Sequence, residues 1–260
     1  MKIGIPVSFG KTTLFLNTAY IDYITGAGHF PVAIYPGTAE TIDMSIDMID
    51  ALLLPGGIDL DPIYYEEDNN TSMSVDPVKD AFERELYYAA LERDMPVFGI
   101  CRGFQLIARE YLVDNPEMKN FLTFIQNINS HNQMSDNDMG RTMPQHFVSH
   151  IPELLFGEGG NAPANLAVNS MHHQCLIANF VEKDVIGGNG FRMVAWTKRG
   201  LKKDDAAPFR FVCEAFRLYG NGKKVLAVQW HPEELKDFRL LNNFLNGELG
   251  NFEIEAIGAF

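Results

Sequence analysis

An α/β fold, with an open, wound, mostly parallel sheet covered by helices on both faces, is predicted by three features of this 260-residue chain. Short apolar runs of strand length alternate with amphipathic helical stretches, and that alternation implies right-handed crossovers between parallel strands. Two of the runs, residues 51–54 and 96–100, end in glycine-rich turns, Pro55-Gly56-Gly57 and Gly99-Ile100-Cys101-Arg102-Gly103. The chain is 46% hydrophobic, which suits one core in a single domain spanning residues 1–260.

Taken in order, residues 2–7 read as a buried strand. Residues 13–27 carry a helical apolar pattern that stops at Gly26 and Gly28. A strand at 32–35, a short helix at 39–48 and the strand at 51–54 follow. Residues 60–75 are irregular and acidic. The stretch 76–93 is an amphipathic helix, with Asp76 as its cap, Pro77 in its first turn, and Phe82, Leu86 and Ala89 or Ala90 on one face. After the strand at 96–100 a helix covers 102–111, and then the regular pattern fails between residues 112 and 165. Within that region residues 127–140 are polar and turn-rich, which suits either a loop or lid near a site or a disordered insertion. Strands are expected at 192–196, 211–218 and 224–229, and a closing helix at 235–245. Met44 and Met48 are expected in the core.

The chemistry concentrates at two of these strand ends. Cys101 sits on a strand-to-helix turn flanked by Gly99 and Gly103, small residues that avoid crowding at a strained corner. At a helix N-terminus, unpaired amides and the positive end of the dipole favour thiolate over thiol. The Gly56-Gly57 turn, one strand-helix unit earlier, opens at the same carboxyl edge of the sheet, where ligands bind in such folds. A cysteine nucleophile needs a base, and the base needs a group to orient it. His231 and Glu233 in Gln229-Trp230-His231-Pro232-Glu233 supply both types, with the carboxylate reaching the imidazole if the backbone stays extended through Pro232.

Gly99-Ile100-Cys101-Arg102-Gly103-Phe104-Gln105 together with Val228-Gln229-Trp230-His231-Pro232-Glu233 resembles the signature pair of the class I glutamine amidotransferase superfamily. Val168-Asn169-Ser170-Met171-His172-His173-Gln174 and the stretch from Asp76 to Glu83 are similar to its γ-glutamyl-γ-aminobutyrate hydrolase-like branch, of the peptidase C26 type. The resemblance runs in order along nearly the whole chain. It implies a flavodoxin-like wound sheet, a Cys101-His231-Glu233 triad, a γ-glutamyl thioester and an oxyanion hole from the amides of Gly57 and Arg102. Such amides suit the negative charge that forms on an attacked carbonyl oxygen. It further implies that Gln105, Asn169, Ser170, His172, His173 and Gln174 line the substrate pocket, and Glu214 matches a glutamate common in the branch. The chain departs from the family after the nucleophile helix, where Arg109 to Asp114 replaces the usual Gly-Gly turn. That region borders the leaving group in the family, so the departure bears on specificity.

The resulting expectation is a stand-alone cysteine hydrolase of a small γ-glutamyl conjugate, with a glutaminase subunit feeding ammonia to a separate synthase as the alternative. A net charge of −13 argues against nucleic acid and anionic membrane surfaces. Three widely spaced cysteines form no disulfide framework, and Cys175 and Cys213 are expected to be buried and inert. With neither a signal peptide nor a membrane span in view, a cytoplasmic location is expected. No cofactor is expected. The pairs His146/His150 and His172/His173 show no recognisable ligand spacing, so no metal is expected either. A homodimer or a synthase partner is left open.

Overall fold

The computed structural model describes residues 1–70, 72, 74–132, 140–157, 165–179, 190–201, 210–220 and 222–247. Its parallel core is made of β1 (Lys2–Pro6), β4 (Phe30–Ile34), β5 (Ala51–Leu54), β6 (Val97–Ile100) and β13 (Val225–Val228), in the spatial order β4-β1-β5-β6-β13. Numbered among themselves, these strands run 2-1-3-4-5, the flavodoxin-like order. All neighbouring pairs in this block are parallel. Strands β5, β6 and β13 are buried at every position, as strands covered on both faces must be. Helices α1 (Thr18–Gly26), α2 (Ala39–Asp47), α3 (Pro77–Leu91) and α4 (Arg102–Asp114) make the crossovers. One apolar cluster gathers Leu52, Leu54, Phe82, Leu86, Phe104 and Ile107, and the other gathers Ile3, Ile5, Tyr23, Leu53, Phe98 and Leu240. Leu52 and Leu53 therefore face opposite sides of β5, which is what a sheet between two helical layers requires.

Local signals act as the sequence suggests in several places. Asp76 caps α3 by accepting from the amides of Val78 and Lys79, both at 3.1 Å, and Pro77 occupies the first turn. Phe82, Leu86, Ala89 and Ala90 are buried on its inner face. Helix α1 begins later than the pattern predicts, because Asn17 caps it by accepting from Ala19 N. Leu14 and Phe15 instead form β3, which pairs with β2 (Ser8–Phe9) in a small hairpin. Met44 and Met48, expected in the core, are 60% and 63% exposed, since α2 turns Ile42 and Ile46 inward instead.

The region expected to lack regular structure contains several elements. Strands β7 (Leu122–Ile125) and β8 (His146–His150) and a short helix at Pro152–Phe156 lie in it. With β9 (Leu166–Val168), β10 (Cys175–Asn179), β11 (Phe191–Thr197) and β12 (Arg210–Leu218) they extend the sheet in antiparallel fashion beyond β13. Of the polar stretch 127–140, residues 133–139 lie outside the described part, while Asn132 bridges to Met171. The closing helix is also divided. A one-turn helix, Pro232–Leu235, ends at left-handed Lys236 before Phe238–Leu245 resumes. Among the described residues no helix is long and apolar enough to cross a membrane.

Candidate active site

Cys101 joins β6 to α4 with φ 51° and ψ −100°, a conformation L-residues avoid. Holding a non-glycine residue there costs on the order of 1–3 kcal/mol. Its amide donates to Val228 O at 2.8 Å, which ties the corner to the neighbouring strand. The flanking glycines serve helix-against-strand packing rather than relief of the thiol. A Cβ on Gly103 would lie 2.2 Å from Leu54 O, and one on Gly99 would lie 2.6 Å from Ile107 Cδ1. The first residues of α4 thus press directly on β5.

Arg102, next to Cys101, is wholly buried and pairs with Asp80 and Glu83, while Lys79 pairs with Glu83. Two cations and two carboxylates balance in this buried network, as burial demands. The network gives the stretch from Asp76 to Glu83 a physical purpose. Its capped helix delivers three charged side chains to the start of α4 and fixes the corner that carries Cys101. Gly57 lies over the same network, with Arg102 Cδ 3.5 Å and Lys79 Cε 3.8 Å from where its Cβ would be. Among the described residues, the amides of Gly57 and Arg102 donate to no protein acceptor. The amide of Gly56, by contrast, donates to the Tyr20 hydroxyl at 2.8 Å.

His231 follows β13 after Gln229 and Trp230. The side chain of Asn169 grips it through both backbone groups: His231 N donates to Asn169 Oδ1 at 2.9 Å, and Asn169 Nδ2 donates to His231 O at 3.1 Å. Its Nδ1 lies 2.6 Å from Glu233 Oε1, and Cys101 is close enough for its charge to favour the protonated ring. Glu233 reaches back from the one-turn helix that Pro232 starts, not from an extended chain as the sequence suggested. Proline at the first helical position is favoured there, and one turn brings the carboxylate beneath the ring. Tyr20, which the sequence reading did not select, completes the arrangement. Burial, and then the Glu233 charge, keep its hydroxyl protonated, and that hydroxyl accepts from the Gly56 amide. Nothing in the pattern of α1 marks Tyr20 as more than one of its buried aromatic residues.

Burial works against a charged His231 ring, but Glu233 and Cys101 outweigh it and raise its pKa from 6.5 to about 10. A raised folded-state value means that the stabilisation is fully present below pH 6.5 and is lost as pH rises through about 10. Glu233→Gln removes the larger of the two attractions. Denaturant titrations of both proteins across that window are expected to show the wild type losing more stability than the variant. Parallel pH profiles would contradict the ion pair.

A family model for peptidase C26 matches residues 7–233, a span that includes Cys101, His231 and Glu233. The chain belongs to the peptidase C26 family. Among curated relatives, YvdE of Lactococcus lactis subsp. lactis, named as glutamine amidotransferase-like, is 28% identical over 90% of this chain and 89% of its own length. The γ-glutamyl-γ-aminobutyrate hydrolase PuuD of Escherichia coli K12 is 28% identical over 86% of this chain and 80% of its own. A solved glutamine amidotransferase from Thermotoga maritima superposes with a TM-score of 0.54, covering 95% of this chain and 97% of that one at 14% identity, which speaks for the fold alone. The chain is thus an enzyme of the glutamine amidotransferase-like C26 hydrolases.

In this C26 chain the residues assigned to the substrate pocket by resemblance are mostly engaged with the protein itself. Asn169 holds His231, as described. The Ser170 hydroxyl donates to His131 O at 2.7 Å. Gln174 Nε2 lies within hydrogen-bonding distance of Leu60 O, the Tyr65 hydroxyl and Ser72 Oγ, at 2.8 to 3.1 Å. Gln105 Nε2 donates to Gln174 O at 3.1 Å and Gln229 Oε1 at 3.3 Å. His172 is buried, with Nδ1 3.0 Å from Gln174 O, and burial pushes its ring down to about 3, so it is neutral. His173 alone of the six is half-buried, 2.9 Å from Asp59 on the loop that follows Gly57. The hydrogen bond it donates to Asp59 raises its pKa despite partial burial, so positive charge is favoured beside that loop. Cys175 and Cys213 are buried with thiols held protonated by burial.

Proposed function

We propose that this C26 enzyme hydrolyses the γ-glutamyl amide bond of a small conjugate through a thioester on Cys101. The observation that carries the reading is the placement of Cys101, the His231–Glu233 pair and the free amides of Gly57 and Arg102 at the carboxyl ends of three adjacent strands, β6, β13 and β5. The Cys101 thiolate adds to the amide carbonyl, and the charge that forms on oxygen is taken by the Gly57 and Arg102 amides. His231, protonated and held by Glu233, gives its proton to the departing amine as the C–N bond breaks. The neutral ring then accepts a proton from water as water attacks the thioester, releasing glutamate and restoring the thiolate–imidazolium pair. His173, whose positive charge is favoured beside the loop after Gly57, is the group we assign to the carboxylate at the glutamyl α-carbon. The net charge of −13 favours encounter with a conjugate whose amine half is cationic. A reducing compartment, the cytoplasm, suits a site that depends on a free thiol.

The reading is tested by giving the purified chain γ-glutamyl-aminobutyrate, γ-glutamyl-polyamines and glutamine in separate reactions and measuring free glutamate. Release from a γ-glutamyl conjugate, with no second protein present, is expected. Release from none alone, followed by glutamine turnover once a co-purifying synthase is restored, moves the assignment to an amidotransferase subunit. The likeness to YvdE is what keeps that second reading in view.

A further inference from the structure

A second cluster of chemistry-bearing side chains is gathered around Glu214, whose carbonyl accepts from the Gln229 amide. His131, His172 and Glu214 each offer one donor atom, and the three atoms lie within 4.8 Å of one another. All three residues are almost wholly inaccessible, at 0%, 4% and 0% exposure. They come from three separate segments: the chain after β7, the loop between β9 and β10, and the middle of β12. The proposed hydrolysis uses none of them.

We propose that His131 Nε2, His172 Nε2 and the Glu214 carboxylate bind a divalent transition-metal ion, Zn²⁺ by preference, as a structural centre of this fold. Both imidazoles are oriented as metal ligands are. His131 Nδ1 lies 3.0 Å from Asn129 O, and His172 Nδ1 lies 3.0 Å from Gln174 O. A carbonyl can only accept, so each Nδ1 carries the hydrogen, and in the neutral ring Nε2 keeps a lone pair. Neither Nε2 makes a hydrogen bond among the described residues, and neither does Glu214 Oε2. Buried polar atoms that make no hydrogen bond, on three side chains gathered in one place, are costly unless something further satisfies them.

The spacing suits an ion. His131 Nε2 is 3.4 Å from Glu214 Oε1. Tetrahedral zinc with ligand bonds of about 2.0–2.1 Å sets its donor atoms roughly 3.3 Å apart, so this one edge has the length a zinc site needs, within a donor set whose atoms lie up to 4.8 Å from one another. Two imidazoles and one carboxylate are a donor set that zinc accepts, and the ion's charge answers the buried Glu214 carboxylate. His146 stands just outside, its Nε2 3.0 Å from Glu214 Oε1, where it orients the carboxylate. No spacing along the chain announces the cluster, because each ligand comes from a different segment.

Such a centre would brace the base. Gln229 N donates to Glu214 O at 2.7 Å, two residues before His231. His172 N donates to His131 O at 3.0 Å, and the same loop carries the Asn169 that grips His231. The ion would therefore lock β12 to both loops behind His231, acting as a positioning element and not on substrate.

The test is metal analysis of the full-length chain, loaded with Zn²⁺ and dialysed free of excess. One zinc per chain is expected in the wild type and equally in Cys101→Ala, falling to background in the double variant His131→Asn/His172→Asn. X-ray absorption on the wild type needs no variant to fold, and is expected to show a first shell of nitrogen and oxygen only, at about 2.0–2.1 Å. Zinc no higher than the buffer blank in the wild type, a sulfur shell near about 2.3 Å, or metal lost with Cys101 rather than with the histidines would each overturn the proposal. None of these readouts depends on turnover, so they stand apart from the fate of the proposed hydrolysis.

Discussion

Cys101→Ala is expected to lower hydrolysis by about 10⁴-fold or more, because it deletes the thiol on which the proposed acyl intermediate forms. The fold should survive. Alanine at φ 51° carries the strain that cysteine already carries, and the Val228 hydrogen bond that holds the corner uses backbone only. Circular dichroism and the thermal midpoint should therefore stay close to those of the wild type. Cys175→Ala and Cys213→Ala should keep most of the rate, since both thiols are buried and held protonated. Turnover at the wild-type rate in Cys101→Ala would overturn the mechanism.

Arg102→Met is expected to cost about 3–5 kcal/mol of stability, the range for removing one partner from a buried ionic network. In the wild type Asp80 and Glu83 face Arg102, and Lys79 reaches only Glu83. Without the guanidinium, two buried carboxylates share one ammonium. Because the network also fixes the start of α4, the surviving folded protein should be slower as well as weaker. Urea denaturation reads the first effect and initial rates read the second. A loss below about 1 kcal/mol, the range of exposed pairs, would show that the network contributes little.

Much of this arrangement is legible along the chain because the parallel core follows local rules. The strand at 51–54, the cap at Asp76 and the corner at Cys101 are each set by residues within a few positions of one another. The antiparallel extension is not legible. Leu122–Ile125, His146–His150 and Leu166–Val168 are short, and pairing that depends on partners far away in sequence leaves only a weak local pattern. The triad candidates were visible by type and order, yet the way Glu233 reaches His231 was not, since it depends on a helical turn beginning at Pro232. Asn169 and Tyr20 act on the site from other elements, through a backbone clamp and a contact across Gly56. Such roles become visible only when the chain is folded. The same is true of His131, His172 and Glu214, which no linear spacing connects.

The measurement that tests the central claim most directly is the intact mass of the protein quenched in acid during turnover of a γ-glutamyl conjugate, followed by peptide mapping. The account predicts one γ-glutamyl adduct per chain, labile to hydroxylamine as a thioester is, on the peptide carrying Cys101, and none in Cys101→Ala. Steady turnover with Cys101 unmodified and unneeded, or an adduct on another residue that persists in Cys101→Ala, would contradict it.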